Sequence, residues 1–249
     1  MSRQARQKCE SNIYHVMLRG AGQQQIFEDT EDSDRFLEIL AECKQISEFA
    51  LYAYCLMGNH VHLLIKEQRE PLEQIVKRIA TRYVYWFNTK YERCGHLFQD
   101  RFKSEPVGDE KYFLTVLRYI HQNPVKAGIC NAVEDYAYSS YREYVTSAKI
   151  IDTEFAFAHI SPEDFVQIHH LPEPTQCLDI ENREGSPRVT DEQARRIIEM
   201  HTKCQNASDF QRLDVAMRNQ YLKLLKAHGL SIRQISRLTG ISFGVVRRI

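Results

Sequence analysis

The 249-residue sequence has no apolar run long enough to cross a bilayer, and its start, MSRQARQKCES, is polar with no hydrophobic signal core. Neither a membrane-spanning nor a secreted protein is expected. Seven cysteines (Cys9, Cys43, Cys55, Cys94, Cys130, Cys177, Cys204) form no CxxC pair and no regular framework. Their scatter argues against a disulfide scaffold or zinc ribbon and for reduced thiols in the cytoplasm. Internal repeats and low-complexity tracts are absent too. So is net charge: 33 Lys and Arg balance 33 Asp and Glu. Taken alone, that balance speaks against a nucleic-acid partner.

The average hides a polarity along the chain. Ser161 to Ser186 carries six acids and one base, whereas Arg212 to Ile249 carries eight bases and one acid, Asp214. A basic segment of this kind is an electrostatic footprint for phosphate, with a solvated helix face as the alternative.

Alternation and helical spacing divide the first part into elements. Ile13 to Arg19 reads as a strand, Ser33 to Glu48 as a helix, and Leu51 to Met57 and His60 to Lys66 as strands joined by the two-residue turn Gly58–Asn59. Pro71 opens a helix over Leu72 to Asn88, and a strand follows near Lys103 to Val107. A last helix runs from Asp109 and is expected to stop before Pro124. The order β-α-β-β-α-β-α predicts an α+β fold of ferredoxin-like type, an antiparallel sheet with helices on one face. Residues 1–148 would form this domain, 149–188 an acidic linker, and 189–249 a small all-α domain.

Inside the hairpin, MGNHVHLLI places His60 and His62 on one side of a strand and Val61 and Leu63 on the other. They are either polar residues of a solvated face or ligands. Tyr119 and Asn123 sit four apart, one above the other on a helix; a half-buried core tyrosine with a polar helix end is the ordinary outcome of such a pair. Together the two oddities suit one chemistry. Two neutral imidazoles and an amide oxygen make a three-ligand site for a divalent cation that polarises phosphate, with a phenol one turn away as nucleophile. Tyr112, Tyr136, Tyr138 and Tyr141 are weaker nucleophile candidates, and His15, His96 and His121 are candidate extra ligands. His121 should point away from Tyr119, and His169–His170 should be solvated in the linker.

The strings HVMLRG, NHVHLL, GHLFQDRFKS and YIHQNPVKAG, in this order, resemble the single-tyrosine HUH transposases, and among them the REP-associated tyrosine transposases of bacteria. The resemblance spans Ile13 to Tyr144 and implies an HUH domain. By it, His60, His62 and Asn123 would hold Mg²⁺ or Mn²⁺, and Tyr119 would cleave single-stranded DNA near a hairpin, keeping the 5′ phosphate. Gln122 departs from the aliphatic residue usual at that place. Arg19, Arg101 and Lys103 become candidates to line a groove for the DNA backbone. The setting would be the bacterial cytoplasm, associated with the nucleoid, for a monomer or homodimer.

The basic tail LSIRQISRLTGISFGVVRRI reads as a short helix, a turn at Gly240, and a second helix from near Ser242. It resembles a helix-turn-helix module, with Arg233, Arg237, Arg247 and Arg248 as candidate contacts to double-stranded DNA. Two other functions compete with the transposase reading: a regulator that only grips a DNA hairpin, and a metal-dependent hydrolase with a water nucleophile.

Overall fold

The computed structural model describes residues 9–171, 177–178, 189, 191–204 and 206–249. They divide into two compact units, Met1–Ile26 with Thr30–Ile180 and Phe27–Asp29 with Glu181–Ile249.

In the first unit, β1 (Ile13–Arg19), α1 (Thr30–Ser47), β2 (Ala50–Met57), β3 (His60–Lys66), α2 (Leu72–Lys90), β4 (Lys103–Pro106) and α3 (Glu110–Lys126) follow one another in the expected order. The strands form an antiparallel sheet in the order β2-β3-β1-β4, the ferredoxin-like arrangement. Met57 pairs with His60 across Gly58–Asn59, so the turn has two residues. The loop after β1 clasps it: Gly20 N–H donates to the Asn59 carbonyl and Ile26 N–H to the Gly58 carbonyl, both at 2.8 Å. A Cβ on Gly58 would lie 2.3 Å from Gln25 Oε1, so a larger residue there would require the Gln25 side chain to move.

Every residue from Ile13 to Leu18, along β2, and from His60 to Ile65 is buried. A sheet with one wet face would show alternation, so here both faces are covered, not one as expected. Helix α3 covers the face that carries the histidines, with Phe113 edge-on to Tyr52 at 5.1 Å. The alternate residues, Val16, Leu18, Val61 and Leu63, are left for the layer built from α1 and α2, where Phe36 meets Tyr83 at 5.0 Å.

Helix α3 also runs past its expected end, with Pro124 inside it. Its apolar stripe of Phe113, Val116, Leu117 and Ile120 is fully buried, and that packing outweighs the local cost of the proline so near the terminus. Ala127 N–H to Asn123 O and Ile129 N–H to Pro124 O, both 2.9 Å, close the helix.

The segment read as a linker is partly folded. After α4 (Tyr141–Val145), it forms α5 (Glu154–Phe157) and α6 (Pro162–His170) within the first unit. Ser161 Oγ caps α6 by accepting from Asp164 N–H at 3.1 Å, and Phe165 stacks on Tyr144 at 4.7 Å. Glu173, Asp179, Glu181, Arg183 and Glu184 lie outside the described residues. His169 is buried rather than solvated, while His170 is exposed. His169 Nδ1–H donates to the Phe165 carbonyl (2.7 Å), leaving Nε2 to accept from His121 Nδ1 (2.9 Å), and His121 Nε2 meets Ser140 Oγ (2.7 Å). Each ring nitrogen is used in this chain, and burial favours the neutral form of both imidazoles. As expected, His121 faces away from Tyr119. Gln122 Nε2 donates to the His169 and Leu171 carbonyls, so this residue ties α6 to α3.

The second unit comprises α7 (Asp191–Thr202), α8 (Ala207–Gln211), α9 (Val215–Ala227), α10 (Ile232–Thr239) and α11 (Phe243–Arg248). They enclose a core of Ile198, Phe210, Leu222, Leu225, Ile235 and Val246. Ser231 and Gln234 form a capping box at the start of α10, and Gly240 ends it in the left-handed region at φ 68°.

Burial holds the pKa of His121 well below the usual histidine value and that of His169 at about 4. Between pH 6.5 and 4 the unfolded chain therefore binds protons that the folded chain refuses, and stability falls as pH falls. His169 alone should remove about 2 kcal/mol between pH 7 and pH 5. Thermal unfolding of wild type and His169→Gln at both pH values checks this: the wild type should show the larger acid loss.

Candidate active site

Strand alternation and register assemble the site. Met17 faces His62 and Arg19 faces His60 across β1 and β3, while His15 faces Glu105 across β1 and β4. Paired residues share a face, so His15, Met17, Arg19, His60, His62, Lys103 and Glu105 all lie on the side covered by α3. His60 and His62 meet at 5.0 Å between ring centroids, and His62 and His15 at 5.1 Å.

Each imidazole is held by one nitrogen. His60 Nδ1–H donates to Asn59 Oδ1 at 2.7 Å, which keeps the lone pair on Nε2. His62 Nδ1 shares a 2.9 Å hydrogen bond with His15 Nε2, while His62 Nε2 is buried with no hydrogen-bond partner among the described residues. Burial, then the neighbouring His60 and His15, hold the His62 pKa well below the usual histidine value, so the ring is neutral. A buried, neutral imidazole with Nε2 unengaged has the chemistry of a metal ligand.

Helix α3 supplies the remaining groups. The Tyr119 ring stands edge-on to His62 and to His15, each at 5.9 Å, in the same chain. One turn later, Asn123 Nδ2 donates to the Tyr119 carbonyl at 3.0 Å, which leaves Oδ1 as its acceptor face. Two imidazoles and an amide oxygen suit a divalent cation with open positions for phosphate oxygens. Among the described residues, no cluster of three or more His, Cys, Asp or Glu is placed to hold a metal ion.

The rival tyrosines are occupied elsewhere. Tyr112 Oη donates to Glu105 Oε1 at 2.6 Å and Tyr136 Oη to the Leu56 carbonyl at 2.6 Å. Tyr138 Oη reaches the Thr30 carbonyl at 3.4 Å, and Tyr141 is buried against His121 and Phe165. His96 is exposed in the loop before β4.

Three cations border the site. Arg19, opposite His60, has a buried Nε with no hydrogen-bond partner among the described residues. Lys103 is exposed on edge strand β4 opposite Met17. Lys126, unremarked in the sequence, holds its ammonium 4.6 Å from the Tyr119 ring centroid. Arg101 is exposed just before β4.

In the second unit, Arg247 and Arg248 are exposed at the end of α11. Arg237 differs from the expectation: it is paired with Asp191, 46 residues upstream, so its charge is spent inside the unit. The Arg233 side chain lies outside the described residues.

Sequence reasoning also missed Glu105. Its carboxylate accepts from Tyr112 Oη and, at 2.9 Å, from Leu178 N–H, and it lies 3.8 Å from His15 Nδ1. The facing His15, followed by these hydrogen bonds, holds its pKa below the usual carboxylate range. Only strand register brings it to the site, and local spacing carries no sign of that.

Residues 8–123 match the family model "Transposase IS200 like". Over 148 residues the chain is 29% identical to a protein of Haemophilus influenzae described as a REP-associated tyrosine transposase, an alignment covering 53% of this chain and 77% of the relative. A solved structure of a REP-associated tyrosine transposase bound to a REP hairpin shares the fold, with a TM-score of 0.50 at 18% identity. That match covers 58% of this chain and 86% of the other.

Proposed function

We propose that this chain, whose residues 8–123 match the IS200-like transposase family model, cuts and rejoins single-stranded DNA beside hairpins by way of Tyr119. The observation that carries the reading is the packing of the Tyr119 ring on His62, from a helix that carries Asn123 one turn later. The relative's name, a REP-associated tyrosine transposase, adds support for REP elements as the substrate class.

His60, His62 and Asn123 would hold Mg²⁺ or Mn²⁺, which when bound polarises the scissile phosphate. Tyr119 Oη forms the new bond to phosphorus as the bond to the 3′ oxygen breaks. The products are a 5′-phosphotyrosine and a free 3′-OH, the phenol giving up one proton and the leaving oxygen taking one. Attack by a 3′-OH on the phosphotyrosine reverses these steps and rejoins a strand without another energy source. Lys126 and Arg19 offer positive charge to the phosphate oxygens, and Lys103 and Arg101 to the flanking backbone. In the second unit, α10, the Gly240 turn and α11 form a helix-turn-helix whose exposed Arg247 and Arg248 contact double-stranded DNA.

Labelled single-stranded hairpins mixed with protein and Mn²⁺ should give an adduct that survives denaturing electrophoresis. The adduct should vanish in Tyr119→Phe and in His60→Ala. Cleavage without an adduct would instead assign a water nucleophile, and binding without cleavage a hairpin-gripping regulator. Lys126→Met should slow adduct formation by roughly tenfold to a hundredfold while hairpin affinity changes less. For the second unit, changing Arg247 and Arg248 to Ala should lower affinity for duplex DNA. The slope of log affinity against log salt should flatten by about two, one per phosphate contact removed.

A further inference from the structure

One diagonal row of side chains crosses three strands beneath α3. His62 on β3 is hydrogen-bonded to His15 on β1, the diagonal neighbour two residues from its register partner Met17. His15 stands directly opposite Glu105 on β4, with Nδ1 3.8 Å from Oε2. Glu105 in turn accepts from Tyr112 Oη in the first turn of α3 and from the Leu178 N–H. The row thus starts on the helix that bears Tyr119 and ends on the imidazole against which Tyr119 packs.

The hydrogen bond between the two histidines can be written in two ways. If His15 Nε2–H donates, His62 carries its proton on Nε2. That would be a buried N–H with no acceptor among the described residues, costing roughly 1–3 kcal/mol. It would also turn the bare Nδ1 lone pair of His15 toward a carboxylate. If His62 Nδ1–H donates instead, His15 has its proton on Nδ1, facing Glu105, and the His62 lone pair is on Nε2. Only the second arrangement is electrostatically consistent at both ends.

We propose that Glu105 and His15, anchored by Tyr112, are positioning residues that fix the proton of His62 on Nδ1 and hold its Nε2 lone pair toward the cation and Tyr119. The proposal rests on the metal-site reading given above. Glu105 and His15 touch neither substrate nor ion; they act through His62. Carboxylate–imidazole support of this kind typically contributes tenfold to a hundredfold in metal affinity. Tyr112 couples the support to the nucleophile's own helix.

The test uses the full chain without DNA and reads two quantities. Long-range ¹H–¹⁵N spectra report which nitrogen of His62 is protonated, and calorimetry with Mn²⁺ reports affinity. Wild type should show His62 protonated on Nδ1. Glu105→Gln and His15→Phe should mix or invert that tautomer and weaken Mn²⁺ binding roughly tenfold to a hundredfold. His15→Gln, whose Oε1 can still accept from His62 Nδ1–H, should restore most of the affinity lost in His15→Phe. Finding wild-type His62 protonated on Nε2 overturns the proposal, and this measurement needs no variant to fold. Mn²⁺ affinity in Glu105→Gln and His15→Phe within twofold of wild type also overturns it. His62→Ala separates the two readings: if it still binds Mn²⁺ as tightly as wild type, the metal-site reading falls and the proposal with it. If His62→Ala loses binding and Glu105→Gln does not, only the positioning role falls.

Discussion

The first unit depends on the placement of one strand. β1 is paired on both sides, with β3 through seven residue pairs and with β4 through four, and its register decides which residues of three strands share a face. A one-residue slip on either side would turn His62 or Glu105 to the other face. Residues Ile13 to Leu18 are buried on both faces, so such a slip would carry polar side chains from one covered layer into the other. The packing that makes the sheet stable is therefore also what aligns the imidazoles, and no separate scaffold is needed for the site.

Helix α3 is the second half of that constraint. It buries Phe113, Val116, Leu117 and Ile120 against the sheet, and this stripe sets the rotation that turns Tyr119 to His62 and His15. His121, two residues along, is turned the opposite way into the network with His169 and Ser140. One helix thus presents two different chemistries on two sides. Its inner side faces the candidate site, and its outer side anchors α6 through Gln122.

Much of this was legible because it is local. Alternation in IYHVMLR and HVHLLIK, the Gly58–Asn59 turn and the four-residue spacing of Tyr119 and Asn123 are all encoded within a few residues of one another. The failures share a cause, since each turned on a partner far away in sequence. Pro124 reads as a stop until the distant sheet that buries the stripe before it is weighed. The acids after Ser161 suggest a solvated segment, yet Phe165 and His169, one turn apart, find their pockets beside Tyr144 and His121. Arg237 looks like a free cation until Asp191 arrives. Glu105 is invisible to spacing because only the pairing of β1 with β4 carries it to His15.

The contact between Tyr119 and His62 within one chain has a kinetic meaning. The proposed nucleophile, ligands and supports belong to a single copy, so under the proposed chemistry the cleavage step is first order in one chain. Dilution would slow the search for DNA but not the bond exchange that follows. Joining two separate DNA ends is then the only stage at which a second copy changes the molecularity.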